Sequence, residues 1–250
     1  MVRGLDKFKE YFQEYTDQYV FIGGTACDIV LEHEKRSFRQ TKDLDVVLIV
    51  EALNEEFVNR FIHFIKLGGY VHINKGTGNH QFYRFEKPSD LQFPYMIELF
   101  SRQPDYLNPL DTRLTPIHIS DDVISLSAIL LDEDYYSLIQ RGTILLDGLS
   151  VLDLEYLILF KIKAWLDLIQ RKASGEQIDS KHIRKHKNDI LRLAVSIAPG
   201  TKISVSERIA CDIRSFLEKN ESQPADLNSL GLKGVTLADI FSIIKTSYEV

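Results

Sequence analysis

Two aspartates one residue apart, Asp43 and Asp45, stand where the polar stretch 33–42 gives way to the apolar run 44–50. Side chains alternate along an extended chain, so both carboxylates point to one face, about 7 Å apart along the backbone. Two such charges repel unless a cation lies between them, and hard carboxylate oxygens suit Mg²⁺. A third carboxylate is expected on a neighbouring strand. Glu98 is the best candidate, because it is the only charged residue of the apolar run 95–100, YMIELF, and a buried unpaired charge is costly. Either a shared metal or an ion pair with Arg84 or Arg102 would compensate it. Glu86, in YRFEK, alternates with Arg84 and reads as surface.

Upstream lies Gly23-Gly24-Thr25. A glycine turn that opens a helix lets backbone N–H groups approach a phosphate with no Cβ in the way, and the helix start favours the anion. Thr25 adds a hydroxyl. By itself the pair of glycines reads equally as a plain strand-to-helix turn. Further along, Leu154, Leu157, Lys161, Ala164 and Leu168 form one stripe at helical spacing, which places Lys161 on an apolar face. Such a lysine either snorkels to solvent or projects into a cleft as a ligand for a triphosphate. Lys163 shares a face with Asp167 and is expected to pair with it.

The elements that must position these residues follow from periodicity. Residues 3–17 carry Leu5, Phe8, Phe12 and Tyr15 at helical spacing. A short strand is expected over Tyr19–Ile22, a helix over Thr25–Glu32, and an interior strand over Leu44–Val50, whose residues are apolar on both faces. Asn54 followed by Glu55 and Glu56 starts a helix that Gly68-Gly69 stops. Residues 70–102 read as three strands joined by a Gly-rich turn and a Pro-Ser-Asp turn. Smaller strands flanking a helix near Asp134–Gln140 are expected between 123 and 146. Beyond residue 150 the pattern is helical throughout. The expected class is α/β with a mixed sheet in residues 1–150, followed by a mostly helical C-terminal domain in 151–250.

With 250 residues, a net charge of −6, 44% hydrophobic and 26% charged residues, the composition is that of an ordinary soluble protein. The acidic balance argues against nonspecific coating of nucleic acid, which requires Lys and Arg against phosphates. A local basic face remains: between 171 and 187 stand Arg171, Lys172, Lys181, Arg184, Lys185 and Lys187 against Glu176 and Asp179. This run is either a solvated face or a track for an RNA backbone. The loop 74–82, NKGTGNHQF, reads as a hairpin turn or as a source of further contacts. Cys27 and Cys211 form no CxxC pair, so neither a disulfide framework nor a zinc knuckle is expected. No signal segment or membrane span is read, and the expected location is cytoplasmic.

The order of the motifs, a glycine turn opening a helix and then a DxD entering the next strand, is similar to the nucleotidyltransferase fold of the DNA polymerase beta superfamily. Gly23-Gly24-Thr25-Ala26, Arg39-x-Thr41-x-Asp43-Leu44-Asp45, Lys161-x-x-Ala164 and the 185–190 segment KHKNDI resemble the AbiEii-type nucleotidyltransferases, several of which are toxins of type IV toxin-antitoxin systems. The resemblance spans roughly residues 18–195. Two departures weaken it toward the C-terminus: Leu168 stands where the family has an Arg, with Arg171 the nearest substitute, and the family's Asp-x-x-Asp appears as His186 and Asp189. The resemblance implies transfer of a nucleoside monophosphate from an NTP to a hydroxyl, with Asp43, Asp45 and Glu98 holding two Mg²⁺ ions, Mn²⁺ being an alternative. It also implies that Gly23, Gly24, Thr25, Arg39, Lys161 and Asp189 contact the nucleotide. The implied partners are the NTP, an RNA such as tRNA or a protein as acceptor, and an antitoxin protein. Two other readings stay open: a small-molecule nucleotidyltransferase of the antibiotic-inactivating kind, and a nucleotide-binding module without turnover.

Overall fold

The apolar residues around and after Asp45 build the strand on which the fold centres. In the computed structural model, which describes all residues except 1, 37, 40, 50, 76–80, 102–128, 131 and 224 (backbone only for 71–75, 81 and 82), that strand is β2, Asp43–Leu48. The Gly-rich turn, Arg102 and the strand expected near residue 123 lie outside the described residues. The chain divides into two compact units. One comprises Met1–Ile119 with Ile139–Asp153, the other Ser120–Leu138 with Leu154–Val250.

The first unit holds a seven-stranded mixed sheet. Besides β2 it contains β1 (Tyr19–Phe21), β3 (Tyr70–Lys75), β4 (Gln81–Pro88), β5 (Met96–Ser101), β6 (Thr143–Leu146) and β7 (Leu149–Leu152), in the order β3-β4-β5-β2-β1-β7-β6. The interior position expected for β2 is observed: it runs parallel to β5 and antiparallel to β1. β6 and β7 form an antiparallel hairpin, with Asp147 and Gly148 both at positive φ between them. Sequence reading had only a helix with flanking strands there. The helix is Glu133–Gly142 (designated α4 below), and β7, buried along its whole length, pairs in parallel with β1.

Helices α1 (Leu5–Phe12), α2 (Gly23–His33) and α3 (Glu55–Gly68) complete this unit. α3 begins and ends as its sequence requires. Asn54 Oδ1 accepts the Phe57 N–H at 2.9 Å, and Gly69 closes the helix at φ 59°. α1 is shorter than its periodicity suggests, because residues 13–18 make turns that lead into β1, with the Tyr15 and Gln18 N–H groups bonding the Phe12 and Tyr15 carbonyls. The fully buried Phe8 and Phe12 join Tyr19, Phe21, Phe57, Phe61 and Phe64 in an aromatic cluster with centroid separations of 4.4 to 6.5 Å. This cluster fixes α1 and α3 against β1, the strand that delivers the glycine turn.

The second unit carries α5 (Leu154–Ala173), α6 (Ser180–Ala194), α7 (Glu207–Asn220) and α8 (Leu237–Tyr248). Asp179, Ser206 and Thr236 each accept a backbone N–H at the start of α6, α7 and α8, and Thr236 with Asp239 forms a full capping box. The apolar stripe of α5 is buried as its spacing requires, from Leu154 through Leu168. Lys163 departs from expectation. Its ammonium lies 2.8 Å from Asp212 on α7, which also accepts from the Tyr135 hydroxyl, while Asp167 faces Arg171 at 3.7 Å. A tertiary carboxylate beside an aromatic ring thus replaces the intrahelical partner. Among the described residues no helix is long and apolar enough to cross a membrane.

Candidate active site

The three expected carboxylates occupy adjacent strands of one sheet. Both aspartates belong to β2 rather than to the loop before it, so their side chains share a face. Parallel register sets Asp45 opposite Glu98 on β5, and antiparallel register sets Glu98 opposite Arg84 on β4. Asp45, Glu98 and Arg84 therefore form one cross-strand row.

Within that row Glu98 is the most constrained member. It is 7% exposed, its Oε1 accepts from both Nε and Nη2 of Arg84 at 2.9 and 2.6 Å, and its carboxyl shares a hydrogen bond with Asp45. Burial, and then the negative charge of Asp45, push the Glu98 pKa up to about 8, with Arg84 acting in the opposite direction. Two carboxyls in hydrogen-bond contact must hold a proton between them or share a cation. The ion pair with Arg84, one of the two compensations that the sequence offers for Glu98, is thus formed, and the Arg84 side chain is 14% exposed.

The glycine turn closes against the same aspartate. β1 ends at Phe21, opposite Val46, and the Ile22 N–H donates to the Asp45 carbonyl at 3.0 Å. α2 begins at once, at Gly23, two residues earlier than its apolar pattern shows. Gly23 has φ 65°, and a Cβ built there would sit 1.9 Å from Asp45 Oδ2. The Gly24 N–H donates to that oxygen at 3.2 Å, and the Thr25 hydroxyl donates to the Asp43 backbone carbonyl. A Cβ on Gly24 would lie 2.7 Å from Thr41 Oγ1 and 3.7 Å from Arg39 Nη2, which brings both residues of the Arg39-x-Thr41 segment to the turn. Arg39 also lies over the Phe38 ring at 5.2 Å.

Lys161 and Asp189 belong to the helical unit and are found together there. The Lys161 ammonium lies 2.9 Å from Asp189 Oδ2, with 7% and 0% of the two side chains exposed, and Arg192 stands 3.8 Å from Oδ1. Lys161 thus stays in the apolar stripe instead of snorkelling, and Asp189 pairs with a lysine of a different helix.

The donor chemistry of the carboxylate row fits a divalent cation. Asp43 and Asp45 share a face, and burial together with the neighbouring Asp45 charge pushes the Glu98 pKa up, a penalty that a cation would relieve. Among the described residues, however, no three His, Cys, Asp or Glu side chains enclose a metal position by themselves, because Glu98 is turned to Arg84.

No family model and no curated protein matches this chain. Solved structures similar to it at low identity include the following two. An antigenic nucleotidyltransferase-like protein from Paracoccidioides brasiliensis is 16% identical, with 95% of this chain and 97% of that one covered, at a TM-score of 0.39. The Megavirus polyadenylate synthase is 13% identical, with 88% of this chain and 36% of that one covered, at a TM-score of 0.42. Likeness at this level assigns neither family nor activity, so the functional reading rests on the side chains described above.

Proposed function

We propose that the chain is a divalent-metal-dependent nucleotidyltransferase that joins a nucleoside monophosphate to an acceptor hydroxyl. The observation that carries the reading is the Asp45–Glu98 pair beside Asp43, with a glycine turn packed so closely on Asp45 that no side chain fits between them. In this reading Asp43 and Asp45 hold the cation and Glu98 is the third carboxylate. The bound ion neutralises triphosphate charge and acidifies the acceptor hydroxyl.

The protein's own groups divide the remaining work. Glu98, freed of its proton when the cation is bound, accepts the hydroxyl proton. The acceptor oxygen then bonds to the α-phosphorus, the bond to the bridging oxygen breaks, and pyrophosphate leaves. Arg84 holds Glu98 Oε1 through two donors and so fixes the orientation of the base. Gly23, Gly24 and Thr25 shape the turn that the phosphates approach, and Arg39, beside that turn, balances their charge.

Manganese binding followed by electron paramagnetic resonance tests the site apart from turnover. Binding is expected in the wild type, accompanied by proton release as the Asp45–Glu98 proton is displaced. It is expected to be lost in Asp43→Asn and Asp45→Asn variants that keep the wild-type circular dichroism spectrum. Undiminished binding in both folded variants would remove the carboxylate row from the proposal.

A further inference from the structure

The helical unit contains a cavity of its own. It lies between α5, α6 and the 223–230 segment, has a volume of about 650 Å³, and is lined by residues of that unit alone. That volume is in the range of sites for compact organic ligands. Its wall combines Ile169, Ile183 and Leu230 with the cations Lys172, Arg184 and Lys187, against one carboxylate, Asp226, in a chain whose net charge is −6. Asp226 is engaged locally, accepting the Ser229 N–H at 3.1 Å, and Lys172 donates to Ser180 at 2.6 Å.

One cation in the wall has no counter-ion. Lys187 is 9% exposed and, among the described residues, makes no hydrogen bond or ion pair, and its burial lowers its pKa. A largely buried lysine without a counter-ion is unfavourable in a folded chain. It is relieved by a ligand that brings anionic acceptor oxygens, with Arg184, exposed beside it, adding a planar donor set. The apolar wall opposite gives such a ligand a surface for a flat, uncharged body.

We infer that this cavity binds a nucleotide unit, its phosphate held by Lys187 and Arg184 and its base against Ile169, Ile183 and Leu230. The site stands independently of the carboxylate row, since every residue in it belongs to the other unit. A nucleotide unit reaches it either as a free mononucleotide or as part of an RNA chain, which the sequence-level basic run 171–187 also suits.

Trp165 is the only tryptophan in the chain, so intrinsic fluorescence reports on this wall alone. The full-length protein, in EDTA, is titrated with adenosine monophosphate, adenosine and an RNA octamer, with calorimetry alongside. The monophosphate is expected to change Trp165 emission at concentrations where adenosine does not. Lys187→Gln is expected to weaken it about 10-fold and the exposed-site change Arg184→Gln a few-fold. Lys219→Gln, away from the cavity, and Asp45→Asn are expected to match the wild type. Tighter binding of the octamer assigns the site to an RNA chain, and tighter binding of the monophosphate assigns it to a free nucleotide. The inference is overturned by equal affinity for adenosine and its monophosphate, by unchanged binding in both cavity variants, by loss of binding in Asp45→Asn, or by neither emission change nor heat at millimolar ligand.

Discussion

Replacing Gly23 by alanine asks how closely the glycine turn and Asp45 are matched. The added Cβ would lie 1.9 Å from Asp45 Oδ2, where real Cβ contacts stay beyond 3.0 Å, so turn and carboxylate must separate by about 1 Å. A displacement of that size at a reacting centre lowers turnover by about 100-fold. Alanine at φ 65° adds a backbone penalty of about 1–2 kcal/mol to folding. Gly23→Ala is therefore expected to fold with a modestly lower denaturation midpoint while losing about two orders of magnitude in nucleotide transfer. Manganese affinity is expected to fall with it, because the displaced group is a proposed ligand. Denaturant titration, manganese binding and transfer of α-phosphate label, measured on one preparation, separate these effects. Transfer within a few-fold of the wild type would refute the idea that the turn sets the position of Asp45.

Three other expectations follow from the same contacts. Because the folded state raises the Glu98 pKa from 4.5 to about 8, the stability linked to this group is fully present below pH 4.5 and is lost as the pH rises through about 8. Wild-type stability should thus fall with pH across that window by up to about 1.4 kcal/mol per unit relative to Glu98→Gln, and parallel denaturation profiles for the two proteins would contradict it. Lys161→Met removes the ammonium 2.9 Å from buried Asp189 and should cost about 3 kcal/mol, whereas Lys161→Met with Asp189→Leu should recover most of that loss; additive losses in chemical denaturation would rule out the coupling. Phe12→Ala, at the centre of the aromatic cluster, should lower stability by about 3–5 kcal/mol, and a loss below 1 kcal/mol by the same measurement would show that the cluster does not hold α1 in place.

Much of the architecture was legible because it follows from local patterns. The period of Leu5, Phe8 and Phe12, the Asn54 cap with Gly69 at positive φ, and the apolar run after Asp45 each fixed an element with little help from elsewhere. The β6–β7 hairpin was harder to read, since β7 is short, buried throughout and directly followed by a helix, so no alternation marks it. The site divides in the same way. Asp43, Asp45 and the glycine turn announce themselves by spacing, and the isolation of Glu98 in YMIELF pointed to a compensating partner. Which partner it has depends on register, and only the antiparallel pairing of β4 with β5 brings Arg84 to Glu98. Lys163 illustrates the limit again: its actual partner, Asp212, is 49 residues away in sequence. The unpartnered Lys187 carries no sequence signature, because the lack of a counter-ion is a property of packing.

The central claim is tested most directly by supplying the protein, with Mg²⁺, with each of the four NTPs labelled in turn at the α- and γ-phosphate. Incorporation is then followed into the RNA, protein and small-molecule fractions of a cell extract. The account predicts that α-label alone enters one fraction, with matching pyrophosphate release, and that Asp43→Ala, shown to be folded, abolishes it. Equal incorporation by Asp43→Ala, or transfer of γ-label in place of α-label, would contradict the assignment of Asp43, Asp45 and Glu98 to nucleotidyl transfer.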